Sequence, residues 1–196
     1  MICAIVLAAG RSRRMGTQKL LLPLAGKPMI ARIVDELQQS PAQQTFVVVG
    51  DDGEKVQLAL DGRTVTFTKN PNSEGDMLSS IRCGLSAMPS ACTAVLIVLG
   101  DQPNLTSQLV AKLVTAFKES GRGLIVPRHR GHRGHPVLIA ARFHVELMTR
   151  HDDVGLLGLL DAHPEELFQL EIADGATLQD MDTPEDYQRH LGSNAG

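Results

Sequence analysis

The sequence predicts an α/β fold built on a mostly parallel central sheet. Two observations carry that reading. Apolar runs of strand length alternate with segments of helical periodicity along the chain. One of the runs, Ala-Val-Leu-Ile-Val-Leu at residues 94–99, is apolar on both faces, as a strand covered on each side has to be. The other strand-like runs are residues 2–7, 45–49, 65–68, 124–126, 136–139 and 167–172.

The helices follow from spacing. Ile30, Ile33, Val34 and Leu37 fall at i, i+3, i+4 and i+7 with Pro28 near the start, which makes one buried stripe. Leu109, Val110, Leu113, Val114 and Phe117 repeat the pattern behind Thr106, a residue suited to capping. A further helix is expected over residues 77–88. The last begins at Thr183-Pro184-Glu185-Asp186, where Thr183 caps, Pro184 occupies the first turn and Asp186 completes a capping box. In such sheets ligands bind at the carboxyl ends of the strands, so chemistry is expected just after each strand.

At 196 residues the chain suits one domain, read as residues 1–191, followed by a polar tail at 192–196 read as flexible. A folded chain of this size hides roughly 70% of the surface its unfolded form exposes, so a core needs no staple. The net charge of -3 sums unequal parts: residues 1–34 hold six Lys/Arg and no acid, residues 35–150 are nearly balanced, and residues 151–188 hold eleven acids and no base. A basic head is compatible with an anionic ligand and equally with solvated loop residues.

Several function classes fall away. No uncharged apolar stretch approaches the roughly 18 residues that span a bilayer, so no membrane is expected. With no Trp, one Tyr and five Phe there is little to stack on bases, so nucleic acid is not expected as a partner. Cys3, Cys83 and Cys92 form no C-x-x-C pair, and an odd count without a signal peptide fits a reducing compartment, hence a cytoplasmic location.

The first strand runs into Leu7-Ala8-Ala9-Gly10-Arg-Ser-Arg-Arg14-Met-Gly16, with Lys19 close behind. A dinucleotide fingerprint would need glycines at 10, 12 and 15, and a Walker loop a Gly-Lys-Ser/Thr ending; neither is present. What remains is a glycine-bracketed loop with Arg11, Arg13, Arg14 and Lys19, which can cradle a polyphosphate or form a turn with exposed arginines. Asp101 follows the fully apolar strand; its carboxylate can hold Mg2+ in a cleft or initiate a turn before Pro103. Asp180 and Asp182, two apart, project the same way from an extended segment and can equally serve the N-terminus of the last helix.

This pattern resembles the nucleotidyltransferases that join an NTP to a phosphorylated acceptor. The order of Asn70-Pro71 with Ser80, Gly100-Asp101-Gln102-Pro103, Gly134-His135-Pro136 and Asp180-Met181-Asp182-Thr-Pro-Glu-Asp186 is similar to that of molybdenum cofactor cytidylyltransferases, from residue 4 to about 187. The resemblance implies a three-layer Rossmann-like nucleotidyltransferase fold. It implies transfer of CMP from CTP to the phosphate of molybdenum-bound molybdopterin, with guanylyl transfer from GTP or transfer to another phosphorylated small molecule as rivals. A non-catalytic cofactor-binding module is the alternative from a different class. A recipient molybdoenzyme or its chaperone is the implied protein partner.

The resemblance also assigns residues. Leu7, Ala8, Ala9, Gly10, Arg14, Gly16, Lys19, Asn70, Ser80 and Asp101 would bind the nucleotide. Arg14, Lys19 and Asp101 would be catalytic, Asp101 and Asp182 would hold Mg2+, and Gly134, His135 and Pro136 would border the acceptor pocket. Ala9 stands where related guanylyltransferases usually carry a second glycine, which favours cytidine. One position departs from the family: Asp76 occupies the place usually held by glycine, with Gly75 one earlier. Ser79, Ser80 and Gly84 also read as residues that start and pack a helix. Three histidines, His129, His132 and His135, recur at three-residue intervals, but Arg128, Arg130 and Arg133 between them oppose a zinc dication. A basic rim there suits an anionic acceptor.

Overall fold

The computed structural model describes residues 1–10, 19–51, 53–72, 75–181 and 183–193, with side chains to residue 189. In chain order it contains β1 (Ile2–Ala8), a 3-10 turn at Lys19–Leu21, a hairpin of β2 (Pro23–Leu24) and β3 (Lys27–Pro28), α1 (Met29–Gln38), β4 (Gln44–Val49), α2 (Gly53–Ala59) and β5 (Thr66–Lys69). There follow α3 (Met77–Ala87), β6 (Ala94–Leu99), α4 (Ser107–Ser120), β7 (Leu124–His129), β8 (His132–Arg133), β9 (Val137–Ala140), α5 (His144–Thr149) and α6 (Gly155–Ala162). β10 (Leu167–Glu171) and α7 (Pro184–Ser193) complete the chain.

The main sheet runs β10-β7-β9-β6-β1-β4-β5, with β8 paired to β7. β1 lies parallel to both β4 and β6, with Val6 opposite Val47 on one side and Val98 on the other. β9 alone in that order is antiparallel to its neighbours, β6 and β7. The cause is the short connection: β7 reaches β9 through the β8 turn, and a parallel return needs a crossover of a dozen residues or more. Residues 136–139 were readable as a strand; their direction was not.

Side chains alternate between two cores. Ala4, Val6, Leu96 and Val98 face α1, α2 and α4, whereas Cys3, Ile5, Val95 and Ile97 face α3, α5 and α6. The sheet is therefore the middle of three layers, as the resemblance implies. Each large side chain buried this way contributes about 1.5–3 kcal/mol, so the doubly covered β1 and β6 anchor the fold.

The expected caps form. Thr106 Oγ1 accepts from the Leu109 N–H, and at α7 the Thr183 N–H donates to Asp186 while the Asp186 N–H donates back to Thr183 Oγ1. α7 continues to Ser193, into the segment read as tail; residues 194–196 lie outside the described residues. The sequence did not indicate α2, α5 or α6. α2 buries little beyond Val56, α5 has six residues, and α6 (Gly-Leu-Leu-Gly-Leu-Leu-Asp-Ala) is too uniformly apolar to show a stripe.

One reading changes. A disulfide joins Cys3 on β1 to Cys92, which immediately precedes β6. Spacing offered no hint of it, because the pairing of β1 with β6 is what brings positions 89 apart together. Among the acids of residues 151–188, Asp152 pairs with Arg82, Asp161 with Arg133 and Glu166 with Arg142. No described helix is long and apolar enough to cross a membrane.

Candidate active site

The candidate residues collect where the topology directs them, at the carboxyl ends of the parallel strands. β1 ends in Ala8, followed by buried Ala9 and exposed Gly10, while Leu7 is half-buried. Gly100 directly follows β6 and donates its N–H to the Leu7 carbonyl at 3.1 Å. A Cβ at Gly100 would lie 2.7 Å from that oxygen, so only glycine permits this approach. Asp101 is thereby held beside the end of β1. Lys19, opening the 3-10 turn, donates from Nζ to Asp101 Oδ2 at 2.6 Å, with the two side chains 17% and 21% exposed. A partly buried cation and a carboxylate thus meet at one cleft edge. Arg14, Gly16 and Asp182 lie outside the described residues.

Asn70 follows β5 at the same edge, its N–H donating to the Val49 carbonyl. Its side chain is 1% exposed, and Nδ2 donates to both Ser79 Oγ and Ser80 Oγ at 3.0 Å. The structure thus brings Asn70 and Ser80 together. Asp76, at the position where the family carries glycine, caps α3 by accepting from the Ser79 N–H. The departure from the family pattern has a local structural role.

The third group arrives because β9 is antiparallel: its start lies at the edge where β6 ends, with Val137 opposite Ile97. Gly134-His135-Pro136 immediately precedes it, with a cis peptide bond between His135 and Pro136. A Cβ at Gly134 would meet the Leu178 side chain at 2.8 Å, so this glycine lets Leu178 pack against the loop. His135 Nε2 is buried and has no hydrogen-bond partner among the described residues. Burial pushes the imidazole pKa down to about 4, with the nearby Asp101 charge opposing the shift. At neutral pH the ring is therefore uncharged.

Beside His135 lies a cavity of about 320 Å3. Val126 and Val137 from the sheet, Met77 from α3, and Leu156 and Leu160 from α6 make its apolar walls. That volume falls in the range of small-molecule sites. Arg133 stands on its lining and pairs with Asp161 at 3.1 Å, so the basic rim expected from the sequence is partly neutralised. His129 is engaged elsewhere, its Nδ1 at 2.9 Å from the Ile172 carbonyl, and His132 is exposed on β8.

The carboxylates suit a hard divalent cation in their chemistry. Asp101 and the Asp180 segment are joined directly, the Met181 N–H donating to the Asp101 carbonyl at 3.0 Å. Among the described residues no three His, Cys, Asp or Glu cluster as a metal site. The described part of the site offers Asp101 and Asp180 as oxygen donors on adjoining segments.

Residues 4–167 match the model of the MobA-like NTP transferase domain. The chain belongs to that family. The NTP transferase domain is 30% identical over 199 residues to the bifunctional protein GlmU of Sinorhizobium fredii, covering 98% of this chain and 37% of that protein. It is 31% identical over 121 residues to the GlmU of Clostridium tetani, of whose length the match spans 26%. Among solved structures it resembles Rv0371c from Mycobacterium tuberculosis, with a TM-score of 0.83, 28% identity and 98% of each chain covered; that protein has also been solved in complex with manganese. The molybdopterin-guanine dinucleotide biosynthesis protein A of Archaeoglobus fulgidus shares the fold, with a TM-score of 0.71 at 18% identity over 100% of this chain and 99% of that one.

Sequence reading of this transferase domain missed two parts of the site. The apolar wall from α6 was present as the run Gly155-Leu-Leu-Gly-Leu-Leu160, but nothing in the run says that it faces His135. Gln102 stood inside the quoted Gly100–Pro103 motif without a role. Its burial, at 2% exposure, is the missing signal.

Proposed function

We propose that this chain transfers CMP from CTP to the phosphate of molybdenum-bound molybdopterin, releasing pyrophosphate. The observation that carries the acceptor assignment is the apolar cavity next to the Lys19–Asp101 pair, beside an uncharged His135 whose buried Nε2 has no hydrogen-bond partner among the described residues. A polyhydroxylated sugar phosphate would leave most of its hydroxyls without partners on such walls. The proposed pterin offers its ring faces to such walls and its ring nitrogens to His135.

In this reading the segment from Leu7 to Gly16, including Arg14, cradles the triphosphate, and Asn70 and Ser80 border the nucleoside. Lys19 offsets negative charge as it moves onto the leaving group. Asp101 and Asp182 are assigned to Mg2+, which when bound neutralises the phosphate oxygens. An acceptor phosphate oxygen forms a bond to the α-phosphorus in line as the bond to the β-phosphate bridging oxygen breaks, and pyrophosphate takes the electron pair. The protein's part is positioning and charge neutralisation. The recipient of the product would be a molybdoenzyme or its chaperone.

Guanylyl transfer is the second reading, favoured by the shared fold of the Archaeoglobus protein, whose name specifies the guanine dinucleotide. The deciding experiment offers each of the four NTPs with molybdenum-loaded molybdopterin and Mg2+, then reads pyrophosphate and the dinucleotide formed. CTP is expected to lead. Product from GTP alone would transfer the assignment to the guanylyl reading, and no pyrophosphate with any NTP would favour the cofactor-binding module.

A further inference from the structure

We propose that Gln102 is a positioning residue, holding Asp180 beside Asp101 so that the two carboxylates converge on one divalent cation. The inference rests on the assignment of Asp101 to the metal and extends it to a residue with no assigned part in binding nucleotide or acceptor.

Gln102 is a fully polar side chain that is only 2% exposed. A buried amide persists where its hydrogen bonds are made, and those of Gln102 all point one way. Its Nε2 donates to Asp180 Oδ1 at 2.7 Å and to the Leu178 carbonyl at 3.4 Å. Two neighbours reach the same segment: the Met181 N–H donates to the Asp101 carbonyl, and Asn104 Nδ2 to the Ala176 carbonyl at 3.1 Å. Residues 101–104 are therefore stitched to residues 176–181, more than 70 positions away, without a strand ladder between them. Side-chain bonds must set the register that a ladder sets elsewhere. Met181, between the two acidic positions, is buried in the core, which leaves the segment little freedom to rotate.

The residue type matters as much as the contact. A Lys or Arg at 102 would also hold Asp180 but would cancel charge that a dication needs, and Lys19 already places one cation on Asp101. A neutral amide orients a carboxylate while leaving the local charge negative. A supporting shell of this kind commonly changes metal affinity by 10- to 100-fold when it is removed.

The test is Mn2+ binding to the nucleotide-free protein, read by the loss of the free-ion signal in electron paramagnetic resonance. Gln102→Met keeps the volume and removes the donors. Asp180→Ala removes the acceptor at an exposed position, so its fold is safe if Gln102→Met proves unstable. Asp180→Asn keeps an oxygen for Gln102 without the charge. Gln102→Met, Asp180→Ala and Asp180→Asn are each expected to weaken Mn2+ by about 10-fold or more, and Gln102→Met combined with Asp180→Ala no further than Asp180→Ala alone.

Wild-type affinity in Gln102→Met overturns the inference while leaving the metal assignment standing. So does a further loss when Gln102→Met is added to Asp180→Ala, because Gln102 would then act otherwise than through Asp180. Failure of the wild-type protein to bind Mn2+, or unchanged binding in Asp101→Asn, overturns the metal assignment and the inference with it. The acceptor and nucleotide are tested separately by the four-NTP comparison.

Discussion

Replacing His135 by Gln offers a quantitative test of the environment beside the cavity. Burial lowers the His135 pKa from 6.5 to about 4 against the weaker pull of Asp101. As pH falls, the unfolded chain takes up this proton first, so the folded state loses stability through the window between 6.5 and about 4. Above pH 6.5 the contribution is fully present. A shift of that size corresponds to about 3 kcal/mol between the two ends of the window. Other groups titrate in the same range, so the quantity to measure is a difference. Urea unfolding of wild-type and His135→Gln protein in EDTA, at pH 7 and pH 4, should show the wild type losing about 3 kcal/mol more than the variant. Proton NMR of the wild-type ring should place its midpoint near 4. A midpoint near 6.5, or parallel pH profiles for the two proteins, would refute the buried, uncharged histidine on which the acceptor assignment depends.

Asp101→Asn should remain folded, since its side chain is partly exposed and its ion pair is with Lys19 alone among the described salt bridges; pyrophosphate release should fall by about 100-fold or more. Normal turnover would remove Asp101 from the metal site. Gly100→Ala forces a Cβ to 2.7 Å from the Leu7 carbonyl oxygen, with backbone on both sides of the contact. Its urea midpoint should drop by the equivalent of about 1–3 kcal/mol, and an unchanged midpoint would show that the β1–β6 contact yields more easily than its geometry suggests.

The stripe from Ile30 to Leu37, the caps at Thr106 and Thr183 and the doubly apolar run at 94–99 were legible because they obey local rules of period and capping. The placement of Asp101 at the end of a strand was legible for the same reason. Partnerships were not. Nothing local to Asn70 says that it will satisfy Ser80, and nothing in Gln102 names Asp180 as its acceptor. The wall that α6 builds beside His135 depends on β9 running antiparallel, a consequence of a connection too short for a crossover.

The sequence by itself determined the fold class, the helices with a clear stripe and the family to which the chain belongs, because periodicity and motif order survive in one dimension. Only the tertiary structure decided which distant residues meet: Cys3 with Cys92, Lys19 with Asp101, Gln102 with Asp180, and His135 with an apolar cavity. Those pairings arise from sheet order and loop closure, where contact is set by the path of the backbone rather than by neighbours along it.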